Sequence, residues 1–285
     1  MAGNDDPTRF RAAYDAVLDR WPGPVDRLDL TSAYGTTRVT AYGPEGGEPL
    51  VLLHGGGGAT STVWFANAAG PGRTRRIYAV DRIGEAGRSV RGDRPLRSTD
   101  DLHAWLDGVL DDLGLDRPDL CGHSYGGWIA LTHALRAPRR VRKLVLLDPT
   151  QCFAGLRPGY LLRALPLLVR PTAERARAFL AWETRGTEID PTWRELYGRA
   201  ADSRTPGSSW RNARALKSCG RPPCRCWCCS RGTARAHDSR RVQAAVSRHL
   251  PRADTAVLAG LSHHAMPFVR AAELDHRILE FLVNS

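Results

Sequence analysis

The chain has 285 residues, a formal charge of +11 and 42% hydrophobic residues, which suits one large domain or a domain with an insertion. Of its 41 basic residues only Lys143 and Lys217 are lysines, and the scattered arginines lack aromatic interleaving, which argues against a nucleic-acid partner. The start, M-A-G-N-D-D-P-T-R-F, carries acids where a signal peptide has an apolar core, and no run reaches roughly 18 uncharged apolar residues, so a soluble cytoplasmic protein without a membrane partner is expected.

Arg9 to Trp21 places Phe10, Tyr14, Val17 and Leu18 on one helical face, and Pro22 and Pro24 stop it. Val25 to Thr31 and Thr36 to Tyr42, parted by Gly35, read as an antiparallel hairpin. Pro49 to Leu53 is an apolar strand running into His54-Gly55-Gly56-Gly57-Gly58, where backbone amides can turn toward a ligand because no side chain blocks them. The run lacks the Lys-Ser/Thr of a P-loop and the glycine spacing of a dinucleotide fingerprint. Arg76 to Val80 is another buried strand, followed by D-R-I-G-E-A-G-R-S over 81–89. A helix then carries Leu102, Trp105, Leu106, Val109, Leu110 and Leu113, opened by Ser98 with Asp101 in capping-box spacing and closed by Gly114.

Residues 118–135 read P-D-L-C-G-H-S-Y-G-G-W-I-A-L-T-H-A-L. Gly122-His123-Ser124-Tyr125-Gly126 fits the G-x-S-x-G elbow, in which a serine sits on a strained turn between a strand and a helix. The pattern gains weight from its context: an apolar run precedes it, and Trp128, Ile129, Leu131, Ala134 and Leu135 keep helical spacing until Pro138. The plainer reading is a serine that only caps the helix. Val141 to Leu147 is one more apolar strand, ending at Asp148-Pro149. Strands apolar along their length and alternating with helices indicate a mainly parallel sheet covered on both faces, with active residues at the strands' carboxyl ends.

From Thr150 to about Leu216 the alternation breaks into helical pieces, Tyr160 to Val169, Thr172 to Trp182 and Pro191 to Ala201. Such an insertion lies over the active face as a lid or packs away from it. After a cysteine-rich stretch the rhythm resumes with a helix marked by Val242, Ala245, Val246 and Leu250 and a strand from Thr255 to Ala259. The loop Gly260-Leu261-Ser262-His263-His264 follows, and a last helix carries Leu274, Ile278, Phe281 and Leu282.

Together these residues resemble the α/β-hydrolase family, specifically its esterase-like members with a helical cap. The resemblance covers nearly the whole chain: H-G-G-G-G after one strand, D-R-I-G-E-A-G-R-S after the next, G-H-S-Y-G-G at the elbow and a histidine loop before the last helix. It implies an α/β fold, a mostly parallel eight-stranded-type sheet flanked by helices, with residues 1–149 and 217–285 as core and 150–216 as helical cap. It also implies a serine hydrolase that cleaves a carboxylic ester or related acyl bond through a Ser-His-Asp triad and an acyl-enzyme. No cofactor or metal is called for, and the partner is a small, apolar, ester-like molecule.

Serine is a poor nucleophile until an imidazole takes its proton and a buried carboxylate orients that imidazole. Ser124 is therefore expected as nucleophile and His263 as base, with neighbouring His264 as the alternate. Asp238, in A-H-D-S-R-R, is favoured as the acid on chain order, with Asp148 as alternate; each has a plain reading, a helix cap for Asp238 and a strand-end turn for Asp148. The oxyanion hole falls to the backbone amides of Gly56 and Tyr125. His54, His123, His103, His133, His237, His249 and His276 lack comparable context and read as structural or solvated.

One stretch does not fit. Where the family pattern needs a buried strand, at about 223–231, the chain has C-G-R-P-P-C-R-C-W-C-C-S-R-G over 219–232. Read one base earlier in GC-rich codons, Pro223 to Gly232 spells V-P-V-L-V-L-L-A-G, so a frameshift is expected to have scrambled this strand, leaving Arg221, Arg225 and exposed thiols in its place. That would favour a catalytically impaired or non-catalytic hydrolase-fold protein. Zinc binding by the 219–229 cysteine cluster is a further alternative, a poor one because paired C-x2-C spacing is missing.

Overall fold

The computed structural model describes residues 7–185, 187–202, 224–231 and 235–284. Among them, nine strands form one sheet. Its antiparallel side begins with β1 (Asp26–Ser32) and β2 (Gly35–Tyr42), paired as the expected hairpin and preceded by helix α1 (Pro7–Leu18). β2 runs antiparallel to β4 (Arg75–Val80), and from there β3 (Glu48–Leu53), β6 (Asp119–His123), β7 (Lys143–Leu147), β8 (Arg225–Arg231) and β9 (Asp254–Leu258) follow side by side, all parallel. The ninth strand is the two-residue β5 (Val90–Arg91), which pairs with β2 away from this path.

Alternation along each strand builds two cores. Leu50, Leu52, Ile77, Val145 and Leu147 face the layer holding α1 and the last helix, α8 (Ala271–Val283). Val51, Leu53, Val80, Leu144 and Leu146 face α2 (Thr99–Asp112), α3 (Tyr125–Arg136) and α7 (Ser239–His249). Each such aliphatic side chain, taken out of water, contributes roughly 1.5–3 kcal/mol. Helix α2 starts as its sequence indicates: the Asp101 N–H donates to Ser98 Oγ at 3.0 Å, and the Ser98 N–H donates to Asp101 Oδ2 at 3.0 Å.

The expected loss of the strand at 223–231 is corrected by β8. Cys226 and Cys228 face the α7 core while Trp227 and Cys229 face the α8 core, all buried. An uncharged thiol packs as a small apolar residue, so alternating cysteines suit a strand buried on both sides, and no shift of frame is needed to explain it. Burial pushes the Cys226 and Cys228 thiols well up and the Cys229 thiol up to about 12, which keeps them protonated. Arg225 stands exposed at the strand's start, pairing with Asp254 at 3.2 Å; Cys219 and Arg221 lie outside the described residues. Because the thiols alternate between faces they do not converge, and among the described residues no group of three His, Cys, Asp or Glu is placed to hold a metal.

Between β7 and β8 the described chain forms helices α4 (Pro158–Val169), α5 (Ala173–Thr184) and α6 (Pro191–Asp202). No helix among the described residues is long and apolar enough to cross a membrane.

Candidate active site

The site lies where the strands point their carboxyl ends. β6 stops at His123, and Ser124 turns the chain into α3 with φ +55°, ψ −118°, a conformation that non-glycine residues rarely adopt. Close packing enforces the turn: a Cβ on Gly126 would sit 2.1 Å from the Leu53 carbonyl oxygen, and one on Gly122 2.3 Å from that of Gly126. The Ser124 N–H donates to the Leu147 carbonyl at 3.0 Å, tying the elbow to the neighbouring strand.

β7 ends one residue before Asp148, which has φ +44° and is 1% exposed. The Asp148 N–H donates to the Cys229 carbonyl at 2.8 Å, so the cysteine-bearing strand itself fixes this position. The loop after β9 supplies His263. Its Nε2 lies 2.7 Å from Ser124 Oγ, and its Nδ1 lies 2.5 Å from Asp148 Oδ2. With Nδ1 carrying the proton, Nε2 is left free to accept from the serine hydroxyl. The other Asp148 oxygen, Oδ1, accepts from His237 Nε2 at 2.8 Å.

The preference for Asp238 over Asp148 is therefore corrected. Asp238 precedes α7 and caps it, its Oδ1 accepting the N–H groups of Arg240 at 3.0 Å and Arg241 at 3.3 Å. Those amides, Arg241 first, hold its carboxyl below the usual range. A carboxylate engaged at a helix start has no path to His263, whereas Asp148, on the strand beside the elbow strand, reaches it directly. His264 does not face Ser124 in place of His263; its Nε2 lies 3.3 Å from the Tyr197 hydroxyl.

Four further groups, none of them singled out by a sequence pattern, surround Ser124, His263 and Asp148. His123 Nε2 donates to the His263 carbonyl at 2.9 Å, with ring centroids 4.9 Å apart, and burial together with the His263 charge lowers its pKa well below the ordinary value. His237 holds the second oxygen of Asp148. Glu183, from α5, accepts the His263 N–H at 2.8 Å and the His264 N–H at 3.3 Å. His54 accepts the Arg82 N–H on Nε2 at 3.2 Å and donates from Nδ1 to the Gly55 carbonyl at 2.7 Å, which shapes the glycine loop; burial, then Arg82, lowers its pKa to about 4. Asp148 carried a usable signal, since it ends an apolar strand next to the elbow. For Glu183 and His237 no local pattern exists.

Ser124, His263, Gly56 and Tyr125 open on a cavity of about 140 Å³. Its other walls are largely apolar and come from α4 (Tyr160, Ala164, Leu167), α5 (Phe179) and α6 (Tyr197). Gly56 and Tyr125, the residues expected to form the oxyanion hole, line the same cavity as Ser124, and α4, α5 and α6 supply its other walls.

A family model described as the alpha/beta hydrolase family matches residues 50–276. Carboxylesterase YbfK of Bacillus subtilis (strain 168) is 34% identical over 176 residues, 62% of this chain. The uncharacterized carboxylesterase nap of the same organism is 34% identical over 179 residues, 63% of this chain. The matched part spans 58% of the length of each of these relatives. The crystal structure of carboxylesterase CesB (YbfK) from Bacillus subtilis superposes with a TM-score of 0.87, covering 98% of both chains at 24% sequence identity, a likeness of fold.

Proposed function

The chain belongs to the alpha/beta hydrolase family, and from that premise we propose that it is a serine hydrolase cleaving carboxylic esters of small apolar acids through an acyl-enzyme. The observation that carries the reading is the chain of contacts from Ser124 Oγ through His263 to Asp148, at 2.7 and 2.5 Å, on the floor of an apolar cavity. Ser124 Oγ attacks the ester carbonyl while His263 Nε2 takes its proton, and Asp148 stabilises the imidazolium. The amides of Tyr125 and Gly56 receive the oxyanion, each such donor lowering the barrier by about 3–4 kcal/mol. The imidazolium then protonates the leaving alcohol, and a water activated by the same imidazole hydrolyses the acyl-enzyme. Two relatives named carboxylesterases support the ester assignment.

Residues 150–216 are read as the cap, and the apolar side chains of α4 and α5 as the acyl-binding wall. The alternative of an impaired hydrolase-fold protein rested on a lost strand, and β8 stands in register beside β7.

Short- and medium-chain nitrophenyl esters, with thioesters and lactones for comparison, test the reading against wild type and Ser124→Ala. The expected result is ester hydrolysis that falls by at least about 10⁴-fold in the variant, with a fluorophosphonate adduct on Ser124. A folded wild-type sample without labelling, or a Ser124→Ala variant that keeps its activity, refutes it.

A further inference from the structure

The peptide unit of His263 is gripped from two sides. From the core, His123 at the end of β6 donates to the His263 carbonyl at 2.9 Å. From the cap, Glu183 in the last turn of α5 accepts the His263 N–H on Oε1 at 2.8 Å. Its Oε2 takes the His264 N–H at 3.3 Å and lies 3.4 Å from His264 Nδ1. The Glu183 side chain is fully enclosed, 0% exposed, on a helix whose Phe179 and Leu180 belong to the apolar core. Burying a carboxylate costs several kcal/mol unless N–H donors compensate it. An acyl pocket has no need of that cost, so the charge is there for the loop it holds.

We propose that Glu183 is a positioning residue that makes the competence of His263 conditional on the cap being seated. This rests on the serine-hydrolase reading above. The carboxylate fixes the backbone on which the imidazole is mounted, and hence the 2.7 Å approach to Ser124 Oγ. It also sets a carboxylate against the backbone of the residue whose imidazole becomes charged during reaction. Displacement of α5 would withdraw the cap's hold on the loop, while the contacts of His263 with His123 and Asp148 come from the core. Cap closure over a substrate and assembly of the base thereby become one event.

The test is Glu183→Gln, which keeps the side chain's size but offers one acceptor where two N–H groups now bind. A misplaced base is expected to lower kcat about 10- to 100-fold on a short nitrophenyl ester, with KM within about twofold of wild type. The titratable groups against His263 are Asp148, His123, His264 and Glu183, with His237 behind Asp148 and Tyr197 behind His264. Removing the Glu183 charge destabilises the imidazolium, so the acid limb of the kcat/KM profile moves to lower pH.

Glu195→Gln, on α6 in the same cap, breaks a surface pairing with Arg177 and Arg199 and is expected to leave both kcat and that limb unchanged. If Glu183→Gln gives no cooperative melt, Glu183→Asp carries the test: it keeps the charge but withdraws the acceptor by one methylene, so kcat falls while the acid limb stays in place. Wild-type kcat with an unmoved limb in the Gln variant, or wild-type kcat in the Asp variant, overturns the proposal. Failure of the underlying reading looks different, because the wild type itself would then show no Ser124-dependent hydrolysis.

Discussion

Asp148→Asn separates the two carboxylates on which the sequence and the structure diverge. Each Asp148 oxygen accepts from a different imidazole, Oδ2 from His263 at 2.5 Å and Oδ1 from His237 at 2.8 Å. Asparagine keeps one acceptor and turns the other atom into a donor, so only one imidazole can retain its proton toward residue 148. If the amide NH₂ faces His263, that ring is forced into the tautomer with Nε2 protonated and can no longer accept from Ser124. If it faces His237, the geometry survives but the imidazolium loses its counter-charge. Two unit charges 3–4 Å apart at an effective dielectric near 20 interact by roughly 4–5 kcal/mol. At 1.36 kcal/mol per decade, that predicts a fall in kcat of about 10³- to 10⁴-fold. The assay is nitrophenyl butyrate hydrolysis under saturation, with Asp238→Ala beside it. Because Asp238 only caps α7, that variant is expected to keep kcat within about twofold while lowering Tm slightly. An Asp238→Ala that loses kcat by about 10³-fold, or an Asp148→Asn that retains more than about a tenth of wild-type kcat, refutes the assignment.

Gly126→Ala drives a methyl group into the Leu53 backbone, 2.1 Å from its oxygen, and is expected to cost about 3 kcal/mol or more; an unchanged thermal melt would count against the tight elbow. In β8, Cys228→Ser buries a hydroxyl where a weakly polar thiol packs, and is expected to lower stability by about 1–3 kcal/mol in urea titration. A wild-type midpoint would indicate that the strand is not enclosed. Asp275 in α8 is 5% exposed, and burial raises its pKa to about 7, opposed by the Asn67 amide that donates to Oδ1 at 2.9 Å. The folded state therefore holds a proton that the unfolded chain has released, and stability declines as pH rises from about 4 to 7, by up to about 4 kcal/mol. Asp275→Asn, which mimics the protonated acid, is expected to match wild type at pH near 4 and exceed it at pH near 8. Parallel urea midpoints for both proteins across that range would contradict this.

The α/β class, the elbow, the glycine loop and the histidine loop are legible because each rests on local rules. Apolar runs dictate buried strands, 3.6-residue spacing dictates α2 and α3, and only glycine fits at Gly122 and Gly126. Ser124 follows from such rules, His263 from the family resemblance with His264 as alternate, and Ser124 Oγ lies 2.7 Å from His263 Nε2. The cysteine stretch misled because charge and residue type suggested damage, while a pleated strand asks only that alternate side chains be small or apolar enough for two enclosed faces.

What the amino-acid order determined by itself was therefore where backbone and side chains must go within each short segment. What only the tertiary structure decided was partnership between segments: that Asp148 rather than Asp238 meets His263, that His237 shares that acid, and that Glu183 reaches across from the cap. Those choices depend on strand order and on the docking of α5, which join residues 80 to 115 positions apart. Hydrogen bonds act over about 3 Å of space and carry no trace of the sequence separation they bridge.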